Sequence, residues 1–207
     1  KIHGFLKNPP ILLDVSNHIY FFFFFFDMQW YLLDKAYLDY LREFDPYVPS
    51  LDGYGGKFKP FFGKLFSVDQ IDYYAPISSG KQKHTQFQET NLFYKVYLHN
   101  ETDEEKLVKK PVAVIDLKHI VPVPSAQATP LANEAILNND AYGSPSEKSK
   151  YLVLLRQELA WVNKNEERIV ENAKILHNKC MTIESFHIHK RCLNLRLLEQ
   201  KAKDFSY

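Results

Sequence analysis

The stretch that most constrains this chain runs from Tyr73 to His84, where an aromatic-rich strand meets Pro76 and passes into Ser78-Ser79-Gly80-Lys81-Gln82-Lys83-His84. Proline has no N–H to give a sheet ladder, so the strand is expected to stop, or to turn to an edge, at Pro76. Gly80 allows a close backbone approach or a positive φ. A strand end, two hydroxyls, a pliable turn and cations are together what a phosphate-handling loop requires. The plainer reading of the same residues is a surface hairpin with solvated lysines.

The flanking segments set the fold class. Trp30 to Leu33 reads as a short strand, and Asp34 as the cap of a helix whose Leu33, Ala36, Tyr37, Tyr40, Leu41 and Phe44 recur at helical spacing up to Asp45-Pro46. Phe61–Val68 and Ile71–Ile77 read as strands joined by the turn Ser67-Val68-Asp69-Gln70. Asn91–His99 alternates, with Leu92, Tyr94, Val96 and Leu98 on one side, and Val112–Leu117 and Ile120–Pro124 read as further strands, the last edge-like. Ala126–Ser144 is polar, with one apolar run at Ala135-Ile136-Leu137. Ser144-Pro145-Ser146-Glu147 is a capping box with proline at the first helical position, opening a long helix expected to bend near Asn163-Lys164-Asn165. A helix over Leu195–Phe205 closes the chain. Strands with one early helix, then helices, predict an α+β fold with a mostly antiparallel sheet.

Residues 1–27 differ in character. The Phe21–Phe26 run lacks the small-residue cleavage site of a secretory leader, and as a strand it would expose large rings on one face. A third reading makes Met28 the start and residues 1–27 an untranslated leader foreign to the native protein, with one folded domain over 28–207. Hydrophobic residues at 45% and charged residues at 25% predict a sizeable core. The net charge of +1 lacks the overall basicity of many nucleic-acid binders. Local excess exists, with five lysines against two aspartates from Lys57 to His84, and twelve Lys or Arg against eight acids from Glu147 onward. The acids concentrate at Glu101–Glu105, read as an exposed turn. Cys180 and Cys192 make no disulfide framework and suit either a reducing compartment or simple core packing. No stretch reaches the roughly 20 apolar residues of a membrane span.

Several segments, in order, resemble the ToxN/AbiQ endoribonuclease toxins of type III toxin–antitoxin systems. They are Met28-Gln29-Trp30-Tyr31 with the helix through Lys35-Ala36-Tyr37 and Leu41–Asp45; Lys59-Pro60-Phe61-Phe62-Gly63; Tyr74-Ala75-Pro76-Ile77-Ser78-Ser79-Gly80-Lys81; Val114–Lys118 with Ile120-Val121-Pro122; and Leu197–Phe205. The resemblance covers about residues 28–205 and rests on the order of the segments rather than on any single one. It implies a compact β-barrel-like sheet related to the Kid/MazF toxins and wrapped by helices. It implies a cytoplasmic, metal-independent RNase with no cofactor, leaving 2′,3′-cyclic phosphate and 5′-hydroxyl ends. Its partners would be substrate RNA and a repeated RNA pseudoknot antitoxin, in a closed toxin–RNA assembly such as a trimeric ring, with no membrane involved. Toxin freed from that RNA would arrest growth, often during phage infection.

That chemistry requires a deprotonated 2′-hydroxyl, a stabilised phosphorane and a protonated leaving oxygen. Lys81 is the candidate cation at the scissile phosphate. Ser78 and Ser79, too weakly acidic to act as bases, are candidate donors to phosphate oxygens. Lys59 is a candidate second cation or proton shuttle, or else a solvated strand-end lysine. Tyr37 and Tyr54 could stack on bases, although the helical spacing of Tyr37 suits core packing equally. Lys57, Lys83 and His84 are candidate RNA contacts, with His84 also weighed as a general base. His187 and His189, which alternation would set on one strand face, join Lys190 and Arg191 as a candidate antitoxin groove. With Cys192 they lack a fourth ligand and zinc-like spacing, so no metal is assigned. The rival reading is a non-catalytic RNA-binding module whose Ser-Ser-Gly-Lys turn only grips phosphate.

Overall fold

Residues 28–98 and 102–205 are described in a computed structural model of the chain; the expected leader over 1–27 lies outside them. The strands are β1 (Gln29–Leu33), β2 (Phe61–Gly63), β3 (Ser67–Val68), β4 (Ile71–Ser79), β5 (Phe93–Val96), β6 (Ala113–Asp116), β7 (Val121–Pro124) and β8 (Ala128–Pro130). The helices are α1 (Lys35–Arg42), α2 (Asp103–Val108), α3 (Asn133–Leu137), α4 (Pro145–Lys164), α5 (Glu166–Thr182), α6 (Phe186–Lys190) and α7 (Leu195–Asp204). The strands pair antiparallel in the order β5-β6-β4-β2-β1-β8, with β3 and β7 also paired to β4. The α+β expectation holds, with the early helix and the late helices in place.

Strand β4 organises the sheet, and it does not stop at Pro76. It runs on to Ser79 with Pro76 opposite Phe61. On its other flank β7 pairs as far as Tyr74–Val121, and β6 takes over at Ile77–Ile115. Between those pairs the partner chain leaves the ladder in a 3-10 turn, Leu117–His119. Pro76 therefore falls where one neighbour has left and the next has not arrived, and a missing N–H there costs no ladder bond. The hairpin between β3 and β4 turns on Asp69 and Gln70, both at positive φ, as a two-residue turn matching sheet twist demands.

The local helix signals are realised closely. Asp34 accepts a hydrogen bond from the Tyr37 N–H, and Ser144 and Glu147 close the reciprocal box at the start of α4. Each such cap contributes about 1 kcal/mol. The expected bend is a full break, since Asn165 leaves helical geometry between α4 and α5 and bonds back to Trp161. Three expectations are corrected. Thr102–Glu105 opens helix α2 with its own capping box instead of a turn. The polar 126–144 region contributes edge strand β8, which pairs with β1 through backbone bonds that need no hydrophobic alternation. His187-Ile188-His189 lies on the short helix α6, not a strand; at 100° per residue the two histidines point to different sides.

One face of the sheet is covered by helices. Tyr73, Ile77, Ile115 and Tyr94 are buried on it. The Tyr73 ring meets His177 of α5 at 5.2 Å, and its hydroxyl donates to Glu199 of α7 at 2.7 Å. Farther along, the Asn172 amide of α5 donates to the Tyr94 hydroxyl. At the far side of the sheet the Trp30 indole donates to the Leu155 carbonyl of α4. The opposite face is packed around Phe61 and Tyr74 and carries the exposed Ser78 at the end of β4.

A candidate nucleic-acid site at the end of β4

Register assigns the polar side chains at the open end of β4 to faces. Ser78 pairs with Val114, and Val114 with Lys95. Side chains directly opposite one another share a face, so Ser78, Val114 and Lys95 form one row. Asp116, opposite Phe93, lies in the adjacent row on the same face. Lys59 lies before β2, outside the ladder, half-buried, and acts as a charge neighbour of His119. Ser79 belongs with Ala113 and Val96 and points to the other face, because successive residues alternate. Both serines are exposed, but they do not aim together as the sequence suggested.

Gly80 is required for a close approach. Its N–H donates to the Val112 carbonyl at 2.8 Å, and a Cβ at this position would collide with the carbonyl oxygen of Pro111. Lys81 follows in extended conformation and is exposed. A 3-10 turn, Gln82–Gln86, then folds back. Lys95 Nζ latches that turn by donating to the Thr85 carbonyl at 3.0 Å, and Lys83 lies exposed on it.

His84 is buried beside Phe87 and Phe93. Its Nδ1 accepts the Lys81 backbone N–H at 3.0 Å. Burial, reinforced by Lys83, Lys81 and Lys95, holds its pKa below the usual histidine value. A buried ring already engaged with the backbone is a positioning group, which corrects its reading as an RNA contact or general base. Tyr37 is corrected too. Its ring is wholly buried against Phe205, and its hydroxyl donates to the Pro122 carbonyl at 2.5 Å. The helical spacing that suited core packing decides, and no base can reach it.

Tyr54 is exposed, and Lys59 Nζ stands 5.4 Å from its ring centre, a cation–π arrangement that leaves part of the ring open to solvent. Lys57 stands over Tyr142 at 5.7 Å, near the start of α4. His189, Lys190 and Arg191 are exposed and His187 is half-buried. The segment just after them is tied to the sheet, since the Leu193 N–H donates to the Lys118 carbonyl at 2.9 Å. That bond brings the basic end of α6 to the turn carrying Lys118 and His119.

His119 escaped the sequence reading. It lies half-exposed in the 3-10 turn after β6, with Nδ1 3.6 Å from Asp116 Oδ2, while Lys118 Nζ is 3.3 Å from the same oxygen. The His119 contact is too long for a hydrogen bond and acts as a charge neighbour. Burial holds the His119 pKa below its usual value against the pull of Asp116, with Lys118 and Lys59 also lowering it. That direction favours the neutral imidazole, and Lys59 is among the charges that act on it. The available signal was Asp116 three residues before His119 at the end of an apolar strand. Among the described residues no three His, Cys, Asp or Glu side chains stand together as metal ligands, and no helix is long and apolar enough to cross a membrane.

The family model for "Toxin ToxN, type III toxin-antitoxin system" matches residues 29–203. The chain is 27% identical over 180 residues to endoribonuclease ToxN of Pectobacterium atrosepticum, covering 86% of this chain and 94% of that one. Among solved structures it resembles a type III toxin described as selectively inhibited by a non-coding RNA pseudoknot, with a TM-score of 0.65 and 17% identity over 86% of this chain and 97% of the other. It also resembles AbiQ, a lactococcal anti-phage endoribonuclease of a type III system, with a TM-score of 0.62 and 17% identity over 85% and 96% of the two chains.

Proposed function

Because the chain belongs to the ToxN family of type III toxin–antitoxin toxins, we propose that it is an endoribonuclease toxin whose reaction centre is the open face at the end of β4. The observation that carries this reading is the exposed Ser78 on the same sheet face as Asp116, beside which stand His119 and, among the charges acting on that ring, Lys59.

The reaction is an internal transesterification. The 2′-hydroxyl oxygen attacks the adjacent phosphorus while its proton passes to the neutral His119 imidazole. Lys81 offsets the charge that builds on the phosphorane oxygens, and the Ser78 hydroxyl donates to one of them. The bond from phosphorus to the 5′-oxygen breaks, and Lys59 delivers a proton to the departing oxygen. The products are a 2′,3′-cyclic phosphate and a 5′-hydroxyl. Ammonium groups supply the positive charge, so the mechanism calls for no metal. Tyr54 stacks on a neighbouring base, which tolerates many sequences.

The basic end of α6, with Lys190 and Arg191, is read as part of the contact with an inhibitory RNA pseudoknot, itself cut by the toxin from a repeated precursor. Toxin and RNA would close into a hetero-oligomeric assembly, and release of the toxin would arrest growth during phage infection. The test is induced expression in a bacterial host, paired with cleavage of RNA by purified protein in EDTA. Growth arrest and chelator-resistant cleavage, both lost in Ser78→Ala and Lys81→Ala variants that still fold, are expected. Undiminished toxicity in both variants would leave an RNA-binding module without catalysis.

A further inference from the structure

Beyond the reaction face, a cleft of about 530 Å³ lies where edge strand β5 meets the corner between α4 and α5. Its floor is aromatic: the half-buried Trp161 meets Tyr94 edge-on at 6.4 Å, and the Arg168 guanidinium lies 4.9 Å over the Tyr94 ring. Its rim is cationic, with Lys164 and Arg168 against the single acid Glu89. The Glu89 carboxylate is turned toward the backbone, accepting the Lys95 N–H at 2.9 Å. None of these residues stood among the candidate site residues of the sequence, because β5 and the helix corner are far apart along the chain.

We propose that this cleft is a subsite for a nucleotide of the substrate RNA strand flanking the scissile phosphate, an inference that rests on the nuclease reading above. Lys95 connects the two places. It lines the cleft, and it stands in the Ser78–Val114–Lys95 row, two strand spacings or about 10 Å from Ser78. A strand that leaves the reaction face over the β5 edge enters the cleft next. There Trp161 offers a stacking surface that accepts any base, and Lys164 and Arg168 meet the backbone phosphate. The volume suits one base with its sugar and phosphate. A peptide would find there no carboxylate set for its own cations and no large apolar floor, whereas rings ringed by cations are the chemistry of single-stranded nucleic acid.

Two tryptophans make the test direct. Trp30 is buried and bonded to Leu155, so fluorescence quenching by a nucleobase reports Trp161. The probe is a short 2′-O-methyl oligoribonucleotide, which cannot be cleaved. It is expected to quench the full chain saturably, and Lys164→Glu with Arg168→Glu is expected to weaken binding about tenfold or more. The same double variant should raise KM for single-stranded RNA with kcat and the thermal midpoint unchanged. Absence of quenching, or an unaltered KM, overturns the subsite. A variant that escapes inhibition by a pseudoknot RNA yet keeps its KM assigns the cleft to the inhibitor instead, and also overturns it. If the wild-type chain cleaves no RNA, the nuclease reading fails by itself, and the quenching arm still reports the cleft.

Discussion

Nδ1 of His84 accepts the backbone N–H of Lys81 at 3.0 Å, so the lysine that follows the glycine turn is held by a ring buried behind it. Removal of that acceptor frees the Lys81 backbone without touching its ammonium group. His84→Ala is expected to lower kcat about tenfold or more, while His84→Asn, which keeps an acceptor near the Nδ1 position, retains most of it. Equal losses in the two variants would return His84 to the role of a proton carrier.

The two serines separate under the alternation of β4. Ser78 shares its face with Lys95 and Asp116, and Ser79 points the other way. Ser78→Ala should cost about 100-fold in kcat, the usual loss for one donor to a developing oxyanion. Ser79→Ala should cost less than about threefold. Single-turnover cleavage of one defined RNA measures both, and a larger loss at Ser79 would place the phosphate on the helix side of the sheet.

His119 must be neutral to take the 2′-hydroxyl proton. Its folded-state pKa lies below the ordinary value, first through burial, so the neutral form persists from pH 8 down past the usual histidine range of about 6.5. kcat/KM is therefore expected to stay level on the alkaline side and to fall only in acid, below about pH 6.5. His119→Ala should remove that acid limb together with most of the rate. A limb that survives the substitution belongs to another group.

Tyr37 is a matter of stability alone. Tyr37→Phe keeps the ring packed on Phe205 but leaves the buried Pro122 carbonyl without its donor. The expected cost is about 1–3 kcal/mol, read as a lower midpoint in urea. RNA affinity at equal folded fraction should not change, and a specific loss of affinity would contradict the buried placement.

Much of this molecule was determined locally. The Asp34 and Ser144 caps, the helices they open, the break at Asn165 and the alternation of Tyr94 with Val96 all follow from short-range rules: a side chain satisfying a nearby N–H, or a period of apolar residues. The close turn at Gly80 was legible for the same reason. Pro76, His84, Tyr37 and His119 were not. Whether a proline ends a strand depends on which neighbour stands beside it, and β6 gives way to β7 at that point only because the chain turns at Leu117–His119. Whether a histidine is free depends on what buries it. The choice between Ser78 and Ser79 depends on which face the helices α5 and α7 cover. Those are properties of residues distant in sequence and adjacent in space, so register and burial, settled by tertiary packing, chose the functional side chains from those the sequence offered.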